Sequence, residues 1–202
     1  MSRTSVMLRF IHMMCRIIPY ITPMRKIFWS FFEVFETVAI AIVAVVLIRT
    51  FIAQPFLVSG ASMEPSFYNG DYLLVDELAY RFREPERGEV IVFRNPIDGS
   101  AYYIKRIIGM PGERIVLENG TITVYRGDVM QTLDELYITD SIPRGQYETT
   151  LQKEEYYVLG DNRGFSFDSR NWGPLPEDRI VGLVRLRLWP VNSAKAITAP
   201  AY

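Results

Sequence analysis

The chain has 202 residues, a formal net charge of −1 at pH 7, one cysteine and one histidine. This length suits one compact domain plus an appendage. A single cysteine excludes an internal disulfide bond and a thiolate metal cluster, a single histidine excludes the two-histidine zinc signatures, and a near-neutral chain is not typical of a nucleic-acid-binding protein. We therefore expect no metal, no other cofactor and no nucleic-acid partner.

The N-terminal part of the chain is basic. Residues 1–32 contain five basic side chains and no acidic one. Because positive charge beside a membrane span favours the cytoplasmic side, residues 1–26 are predicted to be cytoplasmic and residues 53–202 extracytoplasmic, in a single-pass protein of the plasma membrane. The basic residues are Arg3, Arg9, Arg16, Arg25 and Lys26.

Residues 27–52 are predicted to be a transmembrane helix in the lipid bilayer. Their uninterrupted apolar run covers residues 38–48, and about 20 residues are needed to cross the hydrocarbon, so the span has to include Glu33 or Glu36. A cleaved signal peptide is the alternative, because the apolar run is short. Against cleavage, residues 49–56 are bulky and lack small residues at alternating positions.

Residues 53–202 are predicted to form a compact all-β domain, so the protein as a whole is expected to be mainly β. Short alternating, β-branched runs separated by Gly and Pro turns are typical of such a domain. The polar, acidic residues 126–153 are expected to be a surface excursion and the least ordered part. The predicted strands are 54–59, 72–77, 89–94, 101–109, 114–118, 121–125, 154–160 and 180–189.

Ser62 is the candidate nucleophile. It follows Gly60 and Ala61 in the stretch 58–67, where small residues let a substrate backbone come close to the hydroxyl. The only histidine, His12, lies before the membrane segment, so it is separated from Ser62 by the bilayer and a Ser-His-Asp triad is excluded. The base has to be a lysine, a carboxylate or an N-terminal amine.

Lys105 is the best candidate for that base. Of the four lysines, it alone lies in an apolar strand, where alternation puts Tyr103, Lys105 and Ile107 on one face. Burial among apolar groups should lower the pKa of Lys105, and a neutral amine can accept the serine proton. The alternative is a lysine that guards an edge strand against aggregation.

Four stretches together resemble the bacterial type I signal peptidases, membrane-bound serine endopeptidases with a Ser-Lys dyad. The resemblance extends over about residues 27–190, with the motifs in the family's order. The stretches are Ser-Gly-Ala-Ser-Met-Glu-Pro at 59–65, Arg-Gly-Glu-Val-Ile-Val-Phe at 87–93, Tyr-Ile-Lys-Arg-Ile-Ile-Gly-Met-Pro-Gly-Glu at 103–113, and Gly-Asp-Asn-Arg-Gly-Phe-Ser-Phe-Asp-Ser-Arg at 160–170.

The resemblance implies a role for each matching residue. Ser62 would be the nucleophile and Lys105 the general base. Ser166 would donate or accept a hydrogen bond that orients the lysine, and Asp168 and Arg170 would form a supporting ion pair under the site. An ordinary surface salt bridge is the alternative for this pair.

The resemblance also implies an oxyanion hole built on the backbone amide of Ser62. Some family members add a serine hydroxyl two residues before the nucleophile. That position is Gly60 here, so we predict no side-chain donor. A second departure is Gly164-Phe165, where polar residues are common, which leaves the conformation of that loop open.

The resemblance implies signal-peptide-bearing preproteins as substrates, cut after Ala-x-Ala sites. An extended peptide leaving the bilayer can pair with the strand at 54–59 and lie across Ser62. Shallow apolar pockets would admit its small side chains, although some of their residues can equally belong to the core. The predicted lining residues are Phe56, Val58, Met63, Tyr103 and Ile104.

Two other classes of protein remain as alternatives. A self-cleaving repressor also uses a Ser-Lys pair, but it would need a DNA-binding head where this chain has a membrane segment. An inactive, membrane-anchored relative acting as an accessory subunit would be expected to lack Ser62 or Lys105, and this chain has both.

Overall fold

The computed structural model describes residues 29–46, 53–138 and 145–202. The chain divides into two compact units, residues 1–49 and 50–202. The predicted cytoplasmic segment, residues 1–26, lies outside the described residues. The predicted domain boundaries therefore stay predictions.

Helix α1, Trp29–Val46, lies within the predicted membrane segment. Its 18 residues are long and apolar enough to cross a membrane, and its large apolar side chains are exposed on every side. Length and composition therefore make this helix a candidate membrane span. The rest of the predicted segment is outside the described residues.

The domain is mainly β, as predicted, and its larger sheet has eight strands. The order is β1-β2-β11-β3-β4-β9-β10, with β12 paired to β11. The strands are antiparallel, and β4 lies between β3 and β9. The strands are β1 (Ala53–Leu57), β2 (Tyr72–Asp76), β3 (Val90–Arg94), β4 (Tyr102–Gly109), β9 (Glu155–Leu159), β10 (Leu175–Pro176), β11 (Ile180–Trp189) and β12 (Lys195–Ala196).

A second sheet has four strands in the order β7-β6-β5-β8. The predicted surface excursion at 126–153 contains two strands, β7 and β8, which the sequence did not indicate. Both strands are mostly exposed, so their own residues give little hydrophobic alternation. They form by pairing with the amphipathic strands β6 and β5. The strands are β5 (Arg114–Glu118), β6 (Thr121–Arg126), β7 (Val129–Thr132) and β8 (Gln146–Thr150).

Two single-turn helices and an apolar core complete the domain. The helices are α2, Ala79–Phe82, and α3, Ser169–Trp172. The apolar cluster nearest the serine turn contains Met63 and Phe67, and it packs against Leu73 and Val92 of the larger sheet. Burying such side chains contributes about 1.5–3 kcal/mol each, so the turn that carries Ser62 is anchored by the residues that follow it.

Candidate active site

Ser62 lies on a turn that leaves β1 and returns as β2. The base of the turn is closed by hydrogen bonds from Val58 N to Asp71 O and from Gly70 N to Val58 O, both 2.9 Å long. Gly60 has a φ of +99°, a conformation that favours glycine, and its N–H donates to Asn69 Oδ1. The requirement for glycine at this turn is therefore conformational.

The structure brings Ser62 and Lys105 into contact, although they are 43 residues apart in sequence. Lys105 Nζ is 2.7 Å from Ser62 Oγ and donates to the Ile104 carbonyl oxygen at 2.9 Å. Lys105 lies on β4, in register with Ile91 of β3. The strand pairing thus delivers the amine to the serine turn.

The surroundings of Lys105 favour its neutral form. The side chain is only 4% exposed, and desolvation lowers the pKa of Lys105 to about 8 from an ordinary 10.5. The negative charges of Asp168 and Asp161 oppose this effect but are weaker than the burial. A neutral amine at this distance can accept the proton of the serine hydroxyl, so the pair has the geometry of a nucleophile and its base.

Ser166 lies against Gly160, but the expected hydrogen bond to Lys105 is not formed in this structure. Within residues 29–46, 53–138 and 145–202, the buried Ser166 Oγ has no hydrogen-bond partner. The amine of Lys105 is instead engaged by Ser62 and by the Ile104 carbonyl. In this structure the lysine is thus oriented by Ser62 and by the Ile104 carbonyl of its own strand, and not by Ser166.

Asp168 and Arg170 form an ion pair, and it is buried. Arg170 Nε lies 2.8 Å from Asp168 Oδ1, with side-chain exposures of 6% and 0%. Asp168 also accepts from the N–H of Gly160 at 3.1 Å and caps the N-terminus of α3. A surface salt bridge does not fit these exposures, so the pair is part of the interior beneath the Gly160 turn.

Asn162, for which the sequence predicted no role, contacts the serine turn directly. Its N–H donates to the Ser62 carbonyl oxygen at 3.0 Å, and its Nδ2 donates to the Ala61 carbonyl oxygen at 3.1 Å. Asn162 stands within the motif 160–170, so its position was visible in the sequence. The contact itself joins segments about 100 residues apart and leaves no periodic signal.

A buried ion pair between Arg106 and Asp161, which was also not predicted, fixes the turn that contains Asn162. Arg106 Nε lies 2.9 Å from Asp161 Oδ1, and Arg106 Nη2 lies 2.6 Å from Asp161 Oδ2. Both side chains are almost fully buried. Since Arg106 follows Lys105 and Asp161 precedes Asn162, the ion pair ties the lysine strand to the turn that contacts Ser62.

A small apolar cavity of about 110 Å³ has Ser62 and Lys105 in its wall. Four of the five predicted pocket residues line it, namely Phe56, Val58, Tyr103 and Ile104. Met63 does not: it is 1% exposed and belongs to the core. The structure thus places Met63 in the core and not in the wall of this cavity.

Replacing Gly160 by alanine is expected to disable the site. The added methyl group would overlap Ser166 Oγ and the Ser62 carbonyl oxygen, and displacing reacting groups by about 1 Å can cost about 100-fold in rate. Gly164→Ala is the matched control, since nothing lies within 4 Å of the added methyl group. Peptide-cleavage rates of the two variants test this, and similar rates would contradict it.

The family model described as "Signal peptidase, peptidase S26" matches residues 31–189. A probable signal peptidase I-2 from Synechocystis sp. is 36% identical over 179 residues, covering 85% of this chain and 79% of the relative. A signal peptidase IB from Staphylococcus aureus is 33% identical over 178 residues, covering 79% and 90%. A solved signal peptidase I from Enterococcus faecalis shares 26% identity at a TM-score of 0.42, covering 50% of this chain and 97% of that one.

Proposed function

Because this chain belongs to the signal peptidase family, peptidase S26, we propose that it is a membrane-anchored serine endopeptidase whose Ser62 attacks the substrate and whose Lys105 acts as the general base. Family membership confirms the resemblance seen in the motifs and supports the removal of signal peptides. The observation that carries the Ser-Lys mechanism is the 2.7 Å contact between Lys105 Nζ and Ser62 Oγ around an almost fully buried lysine.

The proposed reaction has two halves. In the first, Ser62 Oγ bonds to the scissile carbonyl carbon as its proton moves to Lys105 Nζ, and the resulting oxyanion is held by the Ser62 N–H. The C–N bond then breaks, and the leaving amine takes the proton from Lys105. In the second half, a water molecule gives a proton to Lys105 Nζ and attacks the carbonyl carbon of the acyl-Ser62 ester. The bond from that carbon to Ser62 Oγ then breaks, Lys105 returns the proton to Ser62 Oγ, and the carboxylic acid product is released.

The proposed substrate follows from the size of the cavity. A volume of about 110 Å³ lined by Phe56, Val58, Tyr103 and Ile104 favours small apolar side chains, because larger ones would have to displace packed residues. We propose cleavage after Ala-x-Ala sites. Helix α1 would anchor the enzyme in the plasma membrane with the catalytic domain on the extracytoplasmic side, where translocated preproteins emerge.

A cleavage assay with mapped product termini tests this function. The full chain in detergent is expected to cut a preprotein once, after its Ala-x-Ala site. A matched preprotein with the final alanine replaced by leucine should be cut far more slowly, since the larger side chain overfills the cavity. Equal cutting of both substrates would remove the proposed specificity, and no cutting of either would favour the accessory-subunit alternative.

The pH dependence of cleavage is expected to report the base. Burial lowers the pKa of Lys105 to about 8, so the neutral amine predominates above that pH and the ammonium below it. The value of kcat/KM should therefore fall about tenfold for each pH unit below about 8. A pH–rate profile that stays flat from pH 8 down to pH 5 would exclude a lysine base.

A further inference from the structure

Asn162 holds two consecutive carbonyl groups of the serine turn. Its side-chain amide donates to Ala61 O at 3.1 Å and its backbone N–H donates to Ser62 O at 3.0 Å. The residue is 7% exposed, whereas Ala61 lies at the surface. A buried donor from a distant segment thus controls an otherwise exposed stretch of backbone.

The first of these hydrogen bonds has a consequence for the Ser62 N–H. The Ala61 carbonyl and the Ser62 N–H belong to one planar trans peptide group, in which the two bonds point in opposite directions. Fixing the carbonyl therefore also fixes the direction of the N–H. Among the described residues, no hydrogen bond uses the Ser62 N–H, so this donor is free to meet a ligand.

The turn has few other restraints on this peptide group. Gly60, the residue before Ala61, carries no side chain that could supply a second donor, and an added methyl group there would meet open space. The other hydrogen bond to the Ala61 carbonyl comes from Glu64 N at 3.2 Å, within the same turn. Asn162 is the restraint that comes from outside the turn.

Asn162 is itself held firmly. The preceding residue, Asp161, forms the buried ion pair with Arg106. The following residue, Arg163, forms an ion pair with Glu135, and both side chains are buried. Arg163 Nη1 lies 2.9 Å from Glu135 Oε2. Arg163 Nε also donates to Gly160 O at 3.0 Å. Buried, bidentate pairs on both sides restrict the position from which Asn162 reaches the serine turn.

We propose that Asn162 is a positioning residue that aims the Ser62 N–H at the oxyanion formed during peptide cleavage. This inference rests on the proposed function, because it concerns the same reaction. A donor of this kind stabilises the tetrahedral state more than the bound substrate, since its direction is set before charge develops. Gly60 has no side chain that could add a second donor, so the direction of the Ser62 N–H, which the side-chain amide of Asn162 restricts through the Ala61 carbonyl, matters more.

The expected signature is a loss in kcat without a loss in substrate binding. Removing an oxyanion donor typically costs about 10²–10³-fold in kcat, and misdirecting one should cost less, about 10-fold to 100-fold. Asn162→Ala removes the side-chain donor, and Asn162→Asp keeps the shape while replacing the donor by an acceptor. Asn192→Ala, at an exposed position, is the matched control and should cleave like the wild-type protein.

Two inhibitors separate positioning from a general structural role. An Ala-x-Ala peptide aldehyde adds to Ser62 Oγ, transferring the hydroxyl proton to the new hemiacetal oxygen, and so resembles the tetrahedral state. The matching peptide alcohol resembles the bound ground state. Asn162→Ala and Asn162→Asp should weaken the aldehyde about 10-fold or more and leave the alcohol unchanged, while the midpoint of the acid limb in Asn162→Ala stays at the wild-type pH.

Three results would overturn the inference: wild-type kcat in both Asn162 variants, equal weakening of aldehyde and alcohol, or loss through KM alone. Thermal melting shows which of the two Asn162 variants is folded. Either variant, if folded, is sufficient for comparing the weakening of aldehyde binding with that of alcohol binding. Failure of the proposed function looks different, because wild-type protein would then fail to cut the preprotein or Ser62→Ala would cut it normally. The two failures are thereby distinguishable.

Discussion

Ser62→Ala and Lys105→Met are each expected to abolish measurable preprotein cleavage. Loss of a nucleophile that acts together with its base costs about 10⁴-fold to 10⁶-fold in kcat, and loss of a general base costs about 10²-fold to 10⁴-fold. Methionine suits the test because Lys105 is already buried in an apolar strand. Methionine has nearly the shape of the lysine stem, with sulfur in place of Cδ, and it lacks the amine.

The controls for this pair of variants come from the same chain. Lys153 is exposed, so Lys153→Met changes the net charge equally without touching the site, and it should keep wild-type activity. The double variant Ser62→Ala/Lys105→Met should be about as active as Ser62→Ala alone, since the two residues act in one step and their losses do not add. Either single variant retaining more than a tenth of wild-type kcat would contradict the proposed dyad.

Asp168→Ala is expected to destabilise the catalytic domain by about 3–5 kcal/mol, because it leaves the Arg170 guanidinium buried without its counter-charge. The carboxylate is fully buried and accepts hydrogen bonds from Arg170 and from the Gly160 N–H. It also caps α3, which adds to the loss. Chemical denaturation followed by fluorescence measures the change in unfolding free energy.

An exposed ion pair provides the matched comparison. Arg114 and Glu148 lie 2.7 Å apart with side-chain exposures of 44% and 51%, and exposed pairs contribute about 0–1 kcal/mol. Glu148→Ala should therefore have a small effect. The double variant Asp168→Ala/Arg170→Ala should be less destabilised than the sum of the single variants. Equal changes in unfolding free energy for Asp168→Ala and Glu148→Ala would contradict the prediction, because the buried pair would then contribute no more to stability than the exposed one.

The sequence predicted the parts of the fold that depend on local alternation. β5 begins and ends where the pattern placed it, because one face of the strand is buried and the other is wet. β11 also has the predicted bounds, but its burial does not alternate: register shifts interrupt the strand, Leu186 and Leu188 are exposed and Arg187 is buried. Strands β7 and β8 were missed, since their residues are exposed and acquire strand structure from their neighbours. This is the expected failure where tertiary pairing outweighs local preference.

The candidate site also contains some features that the sequence predicted and others that it did not. Ser62 and Lys105 were predicted as a pair because few residues compete for their roles in this chain, and the structure brings the two side chains into contact. The hydrogen bond of Ser166 and the pocket position of Met63 depend on side-chain direction, which a motif does not specify. Asn162 depends on a contact between distant segments, and long-range contacts of this kind have no local sequence signal.

The state of Lys105 can be measured directly, because the chain contains only four lysines, Lys26, Lys105, Lys153 and Lys195. Protein labelled with ¹³C at the lysine ε carbon should give one resonance that titrates near pH 8 and disappears in Lys105→Met. Its midpoint should coincide with the acid limb of kcat/KM. A Lys105 resonance that titrates at the ordinary lysine pKa, above about 10, would contradict a neutral lysine as the base for Ser62.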